Sequence, residues 1–163
     1  MPSVTYFPGR SLIEITPGMV AQLKADAAKE PLRRARVCLH PDPSHSLHEM
    51  VIAFTRETYV RPHRHRNKCE SMHVIEGELD VVFFDDAGHE TSRIKLGPFG
   101  SGKTFYYRLT NTQWHSVVLH TDTAVIHETT NGPFDAADSE FARWSPEPTD
   151  TLATAAFTRR LLR

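Results

Sequence analysis

Apolar and polar residues alternate with a period of two through most of this chain, and helical spacing appears in only two places. Met19, Val20, Leu23 and Ala27 recur at helical spacing behind Thr16 and Pro17, an N-cap followed by proline at the first helical position. A helix is therefore predicted from Pro17 to near Glu30, where Pro31 stops it. The tail 150–163, with Leu152, Ala155, Ala156, Leu161 and Leu162, predicts a short closing helix. Between them the alternation predicts strands over 34–40, 48–55, 59–65, 70–76, 79–84, 92–96, 103–109, 115–120 and 124–129. Pro41-Asp42-Pro43-Ser44 and Asp85-Asp86-Ala87-Gly88 read as turns between them, and Gly77 breaks the run after Glu76. Short strands with regular turn signals point to an antiparallel barrel or jelly roll and away from βαβ units.

Composition changes this picture little. At 163 residues the chain has the usual size of one domain and can bury a single core. Its formal net charge of −1, with both signs mixed along the chain, shows no electrostatic footprint for nucleic acid or an anionic membrane. Met1-Pro2-Ser3-Val4-Thr5 lacks the charged start and apolar run of a signal peptide, and no stretch reads as a membrane span. Cys38 and Cys69, the two cysteines, read as reduced thiols, so a cytoplasmic protein is expected.

The chemistry concentrates in one strand and its return. His63 and His65 sit two apart and share a face; Arg66-Asn67-Lys68-Cys69 is a short polar bend, and Glu70 opens the next strand. Two neutral imidazoles and a carboxylate suit one divalent ion, Fe, Mn, Ni, Co or Zn. Cys69 points to the other strand face and reads as a neighbour of the site, not a ligand. His73 has opposite parity to Glu70, while His40, His45, His48, His89 and His120 lie near turns or ends and read as solvated. His115 shares parity with Val117 and Leu119, which turns it towards the interior. One of His127 and Glu128 must line a cavity, and parity alone does not choose between them. By the same parity Tyr59 and Arg61 fall on the face of His63 and His65, while Arg108, Tyr106 and Tyr107 on the strand before His115 offer a second cation and an aromatic wall. Tyr59, Arg61, Arg108 and Glu128 are thus the candidate catalytic groups. The pocket they imply suits a small sugar-like or acidic molecule.

His63-x-His65-x4-Glu70-x6-Gly77 resembles the first signature of the cupin superfamily, and Trp114-His115 before Ser116-Val117-Val118-Leu119 looks like the core of the second. The resemblance implies a single cupin barrel, a double-stranded β-helix or jelly roll. It also implies one divalent ion held by His63, His65, Glu70 and His115. Cupins usually carry Pro-x-Gly shortly before the last histidine, where this chain has Leu109-Thr110-Asn111-Thr112-Gln113. More narrowly, residues 59–65, Glu128 with Asn131-Gly132-Pro133-Phe134, and Phe141-Ala142-Arg143-Trp144-Ser145-Pro146 resemble the WbuC-type cupin-fold metalloproteins, often associated with surface-polysaccharide gene clusters. The expected organisation is an N-terminal extension and helix over 1–33, the barrel over 34–135 and a tail over 136–163 that packs on it. Val4-Thr5-Tyr6-Phe7 is apolar and β-prone and can add to a sheet edge in cis or across a dimer; a homodimer is expected. The expected activity is a metal-dependent isomerase- or epimerase-type reaction; an Fe(II) dioxygenase and a non-catalytic metal- or ligand-binding protein are the alternatives.

Overall fold

The computed structural model describes residues 4–9 and 11–163; Met1–Ser3, part of the segment read for a signal peptide, and Arg10 lie outside the described residues. Among the described residues eleven strands form two sheets that face each other around one interior, with two α-helices packed on them. The first sheet holds β1 (Val4–Tyr6), β2 (Arg34–Cys38), β3 (Leu47–Thr55), β10 (Thr123–Asn131), β5 (Glu70–Glu76) and β8 (Tyr106–Leu109), in that order. The second holds β11 (Ser139–Phe141), β4 (His63–His65), β9 (Trp114–Leu119), β6 (Leu79–Phe84) and β7 (Glu90–Leu96). Every pairing between these strands is antiparallel except β1 on β2; from β3 to β6 and again from β7 to β11 successive strands switch sheets, as in a jelly roll, while β2–β3 and β6–β7 pair within one sheet. The fold is the single cupin-type barrel expected.

Alternation sorts each strand between two apolar layers. Met50, Ile52 and Phe54 of β3, Val74 of β5, Leu79 and Val81 of β6 and Ile126 of β10 fill the space between the sheets. The intervening Val51, Ala53 and Val125 face outward and, with Ala35 and Val37 of β2, lie under α1 (Pro17–Lys29), which adds Val20, Leu23 and Ala27. Thr16 caps α1 by accepting from the Met19 N–H, with Pro17 at the first position as read from the sequence. At the other side α2 (Thr151–Leu161), capped by Asp150, lays Phe157 and Leu161 on Val82, Phe84, Trp114 and Val118 of the second sheet. β1 extends the first sheet in cis, so the edge of β2 is covered by the chain's own N-terminal segment.

Three departures bear on the site. The strand expected over 59–65 exists only at His63–His65, because Pro62 donates no ladder hydrogen bond and Tyr59 and Arg61 turn to the C-terminal segment instead. β8 begins at Tyr106, three residues later than expected. The segment 139–141, read as part of a tail, is an edge strand that pairs with β4 and places Ser139 opposite His65.

Candidate metal centre

The histidines come from one sheet and the carboxylates from the other, so the centre lies where the two sheets meet at one end of the barrel. His63 of β4 pairs directly with His115 of β9. Their rings lie 4.4 Å apart, and the His65 ring is 4.9 Å from that of His63. One ring nitrogen from each of His63, His65 and His115 falls within 4.8 Å of the other two. Across the gap Glu70 of β5 reaches in, with one carboxylate oxygen 3.3 Å from His65 Nε2 and the other 3.3 Å from His115 Nε2.

Outer contacts aim the ligands. His63 Nδ1 donates to the Arg61 carbonyl and His115 Nδ1 to the Gln113 carbonyl, each at 2.9 Å, which fixes both rings and leaves Nε2 of each as the nitrogen available to an ion. His65 Nδ1 lies 3.2 Å from Ser139 Oγ. The turn that lacks Pro-x-Gly thus orients His115 through the Gln113 carbonyl. Glu70 is only 6% exposed and accepts a 2.8 Å hydrogen bond from the Tyr107 hydroxyl. The bend before Glu70 is fixed by Asn67 in the left-handed region (φ 58°) and by Asn131, which accepts from the Cys69 N–H and donates to the Asn67 carbonyl.

The electrostatics favour binding a cation. Burial, followed by the neighbouring His115 and His65, pushes the His63 pKa down to about 3, so that ring stays neutral and a donor to metal. Burial alone would raise Glu70, but hydrogen bonds from His115 and His65 hold its carboxyl well below the usual range. Burial and then the Glu70 charge raise Tyr107, keeping its hydroxyl protonated and a donor. Three imidazoles and an ionised carboxylate, each with its orienting partner, fit one borderline divalent ion; the Glu70 hydrogen bond that raises the His115 pKa would give way to the ion, which takes its imidazole ligands neutral.

The other sequence candidates separate. Glu128, not His127, faces the interior. It sits opposite Met72 and Met50 on the cavity wall, while His127 turns outward and lies 3.7 Å from Glu49. Burial and the charge of Glu70, opposed by Arg36, push the Glu128 pKa up to about 7. Tyr59 and Arg61 are placed differently from the parity reading. Tyr59 packs against Phe157 and donates to the Pro146 carbonyl, and Arg61 forms a two-pronged pair with Glu147 at 2.7 Å per contact. Strand parity does not extend across Pro62, which is why these two side chains leave the histidine face. Arg108 and Tyr106 also point outward; the Arg108 guanidinium contacts Cys69 Sγ at 3.1 Å and Ser71 Oγ at 3.5 Å, whereas Tyr107 between them points in.

Sequence reasoning missed the cavity's other wall. An opening of about 280 Å³ beside His65, Glu70 and Glu128 is bounded by Arg36, Lys68 and the stacked pair His40–His48, whose rings lie 4.1 Å apart. His40 and His48, expected to be solvated, are both buried: His48 lies within β3 opposite Thr130, and His40, just past the end of β2, stacks on it and contacts the Glu49 backbone. Arg36 had a legible signal: α1 covers the Ala35 and Val37 face of β2, which turns Arg34 and Arg36 inward.

A family model described as "Domain of unknown function (DUF6016)" matches residues 15–96, half of the chain. The chain belongs to that family. No curated protein matches the sequence. Among solved structures the fold is similar to CapF in complex with 3-isopropenyl-tropolone (TM-score 0.53, 18% identity, 68% of this chain and 32% of that one). It is similar also to DMSP lyase DddQ from Ruegeria pomeroyi DSS-3 (0.51, 19%, 70% and 54%) and to Bacillus subtilis oxalate decarboxylase, studied for its Mn(II) centres (0.50, 14%, 66% and 27%). Protein SO0799 from Shewanella oneidensis matches over 61% of this chain and 65% of its own (0.51, 14%), so this DUF6016 chain spans less than two thirds of each of these structures. At such identities the likeness concerns the barrel fold. No helix among the described residues is long and apolar enough to cross a membrane.

Proposed function

We propose that this DUF6016 protein is a metal-dependent enzyme acting on a small polar substrate, with His63, His65, Glu70 and His115 as the ligands of one divalent ion. The observation that carries the reading is the convergence of three oriented imidazoles and the Tyr107-bound Glu70 carboxylate beside an open cavity. A sealed, apolar surround would instead favour a purely structural ion. A divalent ion held there would polarise a substrate carbonyl or hydroxyl and lower the pKa of bound water. The protein's own contributions are separate. Tyr107 holds Glu70 in place, and Glu128 presents a carboxyl that carries its proton near neutrality, suited to give or take one from a substrate in the cavity. An isomerisation, an epimerisation or a hydrolysis uses such a group. Oxygen chemistry with Fe(II) is the second reading, favoured by the same donor set and its open positions.

The narrower WbuC-type kinship, a place in surface-polysaccharide metabolism and a cytoplasmic homodimer belong to the same proposal. The residues of that motif support the kinship. Self-association is supported by β8, a sheet edge with Phe105 and Tyr106 exposed beside it. The test is turnover of a panel of sugars and small acids by the metal-loaded protein, with oxygen uptake recorded in parallel and light scattering for the oligomer. Product without oxygen uptake, abolished in Glu128→Gln while metal content stays at the parent level, supports the reading. Absence of product and of oxygen uptake across the panel, with metal bound, rejects the enzyme in favour of a binding protein.

A further inference from the structure

Two walls of the cavity carry charge of one sign. Arg36 enters from the inward face of β2, on the row of Ile52 and next to the Cys38–Met50 row that leads to Glu128. It lies close enough to oppose the raised pKa of Glu128. Lys68 enters from the bend before Glu70; its side chain is only 8% exposed, and its ammonium sits 3.5 Å from Asp138 and 3.2 Å from the Pro133 carbonyl, over the Phe134 ring. Lysine is seldom buried without a partner, and this one is held at a cavity wall with a single carboxylate at the long end of ion-pair distance.

From this placement we infer that the DUF6016 cavity takes a short organic acid, with one end directed to the metal centre and a carboxylate at the other held by Arg36 and Lys68. The inner end of this inference and the net charge of the cavity rest on the metal reading above; the placement of the two cations at the outer end does not. Charge decides against a neutral sugar: even with Glu70 and Glu128 both ionised and Asp138 beside Lys68, a divalent ion together with Arg36 and Lys68 leaves the cavity net positive. Lining chemistry agrees. Among the described residues the wall offers hydroxyls from Thr5, Thr130 and Ser139, but no Asn, Gln or Trp, the amides and broad ring that grip a polyol. Phe7, Met50 and Phe134 supply instead apolar contact for a short hydrocarbon spine. Size sets the limit, since about 280 Å³ lies at or below the ~300–1,000 Å³ usual for small-molecule sites.

The probe is succinate, compared with its neutral diamide succinamide, titrated by NMR into the full chain with metal content measured in the same samples. Succinate is expected to bind and succinamide to bind at least tenfold more weakly. Arg36→Gln and Lys68→Gln should each weaken succinate about ten- to a hundredfold, the usual effect of losing a charge-assisted hydrogen bond, with metal content at the parent level. Arg36→Lys should restore part of the loss. Should Arg36→Gln fail to fold, Lys68→Gln, whose side chain comes from a bend and not from a core strand, carries the test. Equal affinity for acid and diamide, no binding of either by the wild type, or unchanged succinate affinity in folded Lys68→Gln overturns the inference. If the chain binds succinate through Arg36 and Lys68 yet holds no metal, the metal reading fails and the outer clamp stands.

Discussion

The two ends of this barrel are built from opposite chemistry. At the far end Leu79, Leu96, Leu119, Val74 and Ala124 close the space between the sheets with aliphatic side chains at or near zero exposure, and Gly77 turns there against the Thr123 carbonyl. At the histidine end Glu70, His115 and Glu128 occupy inward positions on β5, β9 and β10, strands shared with the far end, and His63 of β4 and Tyr107 of β8 join them. An apolar group at such a position stabilises by leaving water, whereas a buried polar group costs free energy unless each of its atoms is partnered. The far end therefore carries stability and the histidine end carries function. The partners there, Arg61 and Gln113 carbonyls, Ser139 and the Tyr107 hydroxyl, keep that cost low enough for the fold to persist.

Substitutions should separate the two ends. Leu79→Ala leaves a cavity in the closed end and should cost about 2–5 kcal/mol of stability, read by denaturant unfolding, while metal bound per folded chain stays constant. A fall in metal stoichiometry would mean that the ends are coupled. Gly77→Ala belongs with it, since φ of 80° and a Cβ 2.3 Å from the Thr123 carbonyl force the backbone to move. Tyr107→Phe acts at the other end: removing the hydroxyl that holds Glu70 should weaken metal binding about ten- to a hundredfold, or roughly 1.4–2.7 kcal/mol, in a competition titration with a chelator. The metal-free protein should unfold at nearly the parent denaturant concentration. A stability loss with unchanged metal affinity would instead make Tyr107 a core residue.

Arg61→Lys gives the smallest effect. The guanidinium fork on Glu147 ties the segment before His63 to the segment before α2, but Glu147 is 65% exposed, so water screens the pair. A stability change of about 1 kcal/mol or less is expected, with metal and ligand affinity unaltered. Weaker ligand binding at unchanged stability would return Arg61 to the cavity.

Much of this was legible in the sequence. Alternation marked the long strands because their two faces meet different surroundings, and Thr16-Pro17 and Pro31 bracketed α1 with local chemistry alone. His63, His65 and Glu70 were legible because a two-residue spacing and a short bend need no knowledge of the rest of the fold. Parity failed at Tyr59 and Arg61, where Pro62 interrupts the strand on which parity depends. The inward turn of Arg36 depends on which face of β2 the helix covers, and the burial of His40 and His48 depends on how β2 and β3 align; both are long-range facts. Glu128 and His127 could not be told apart because their strand is covered on both faces.

The central claim is that His63, His65, Glu70 and His115 hold a single divalent ion at one end of the barrel. Elemental analysis of the purified, folded chain, read together with single substitutions, tests it most directly. One equivalent per chain is expected in the wild type, His73→Ala and His120→Ala, and a small fraction of that in His63→Ala and His115→Ala. Metal retained in His115→Ala but lost in His73→Ala would contradict the account.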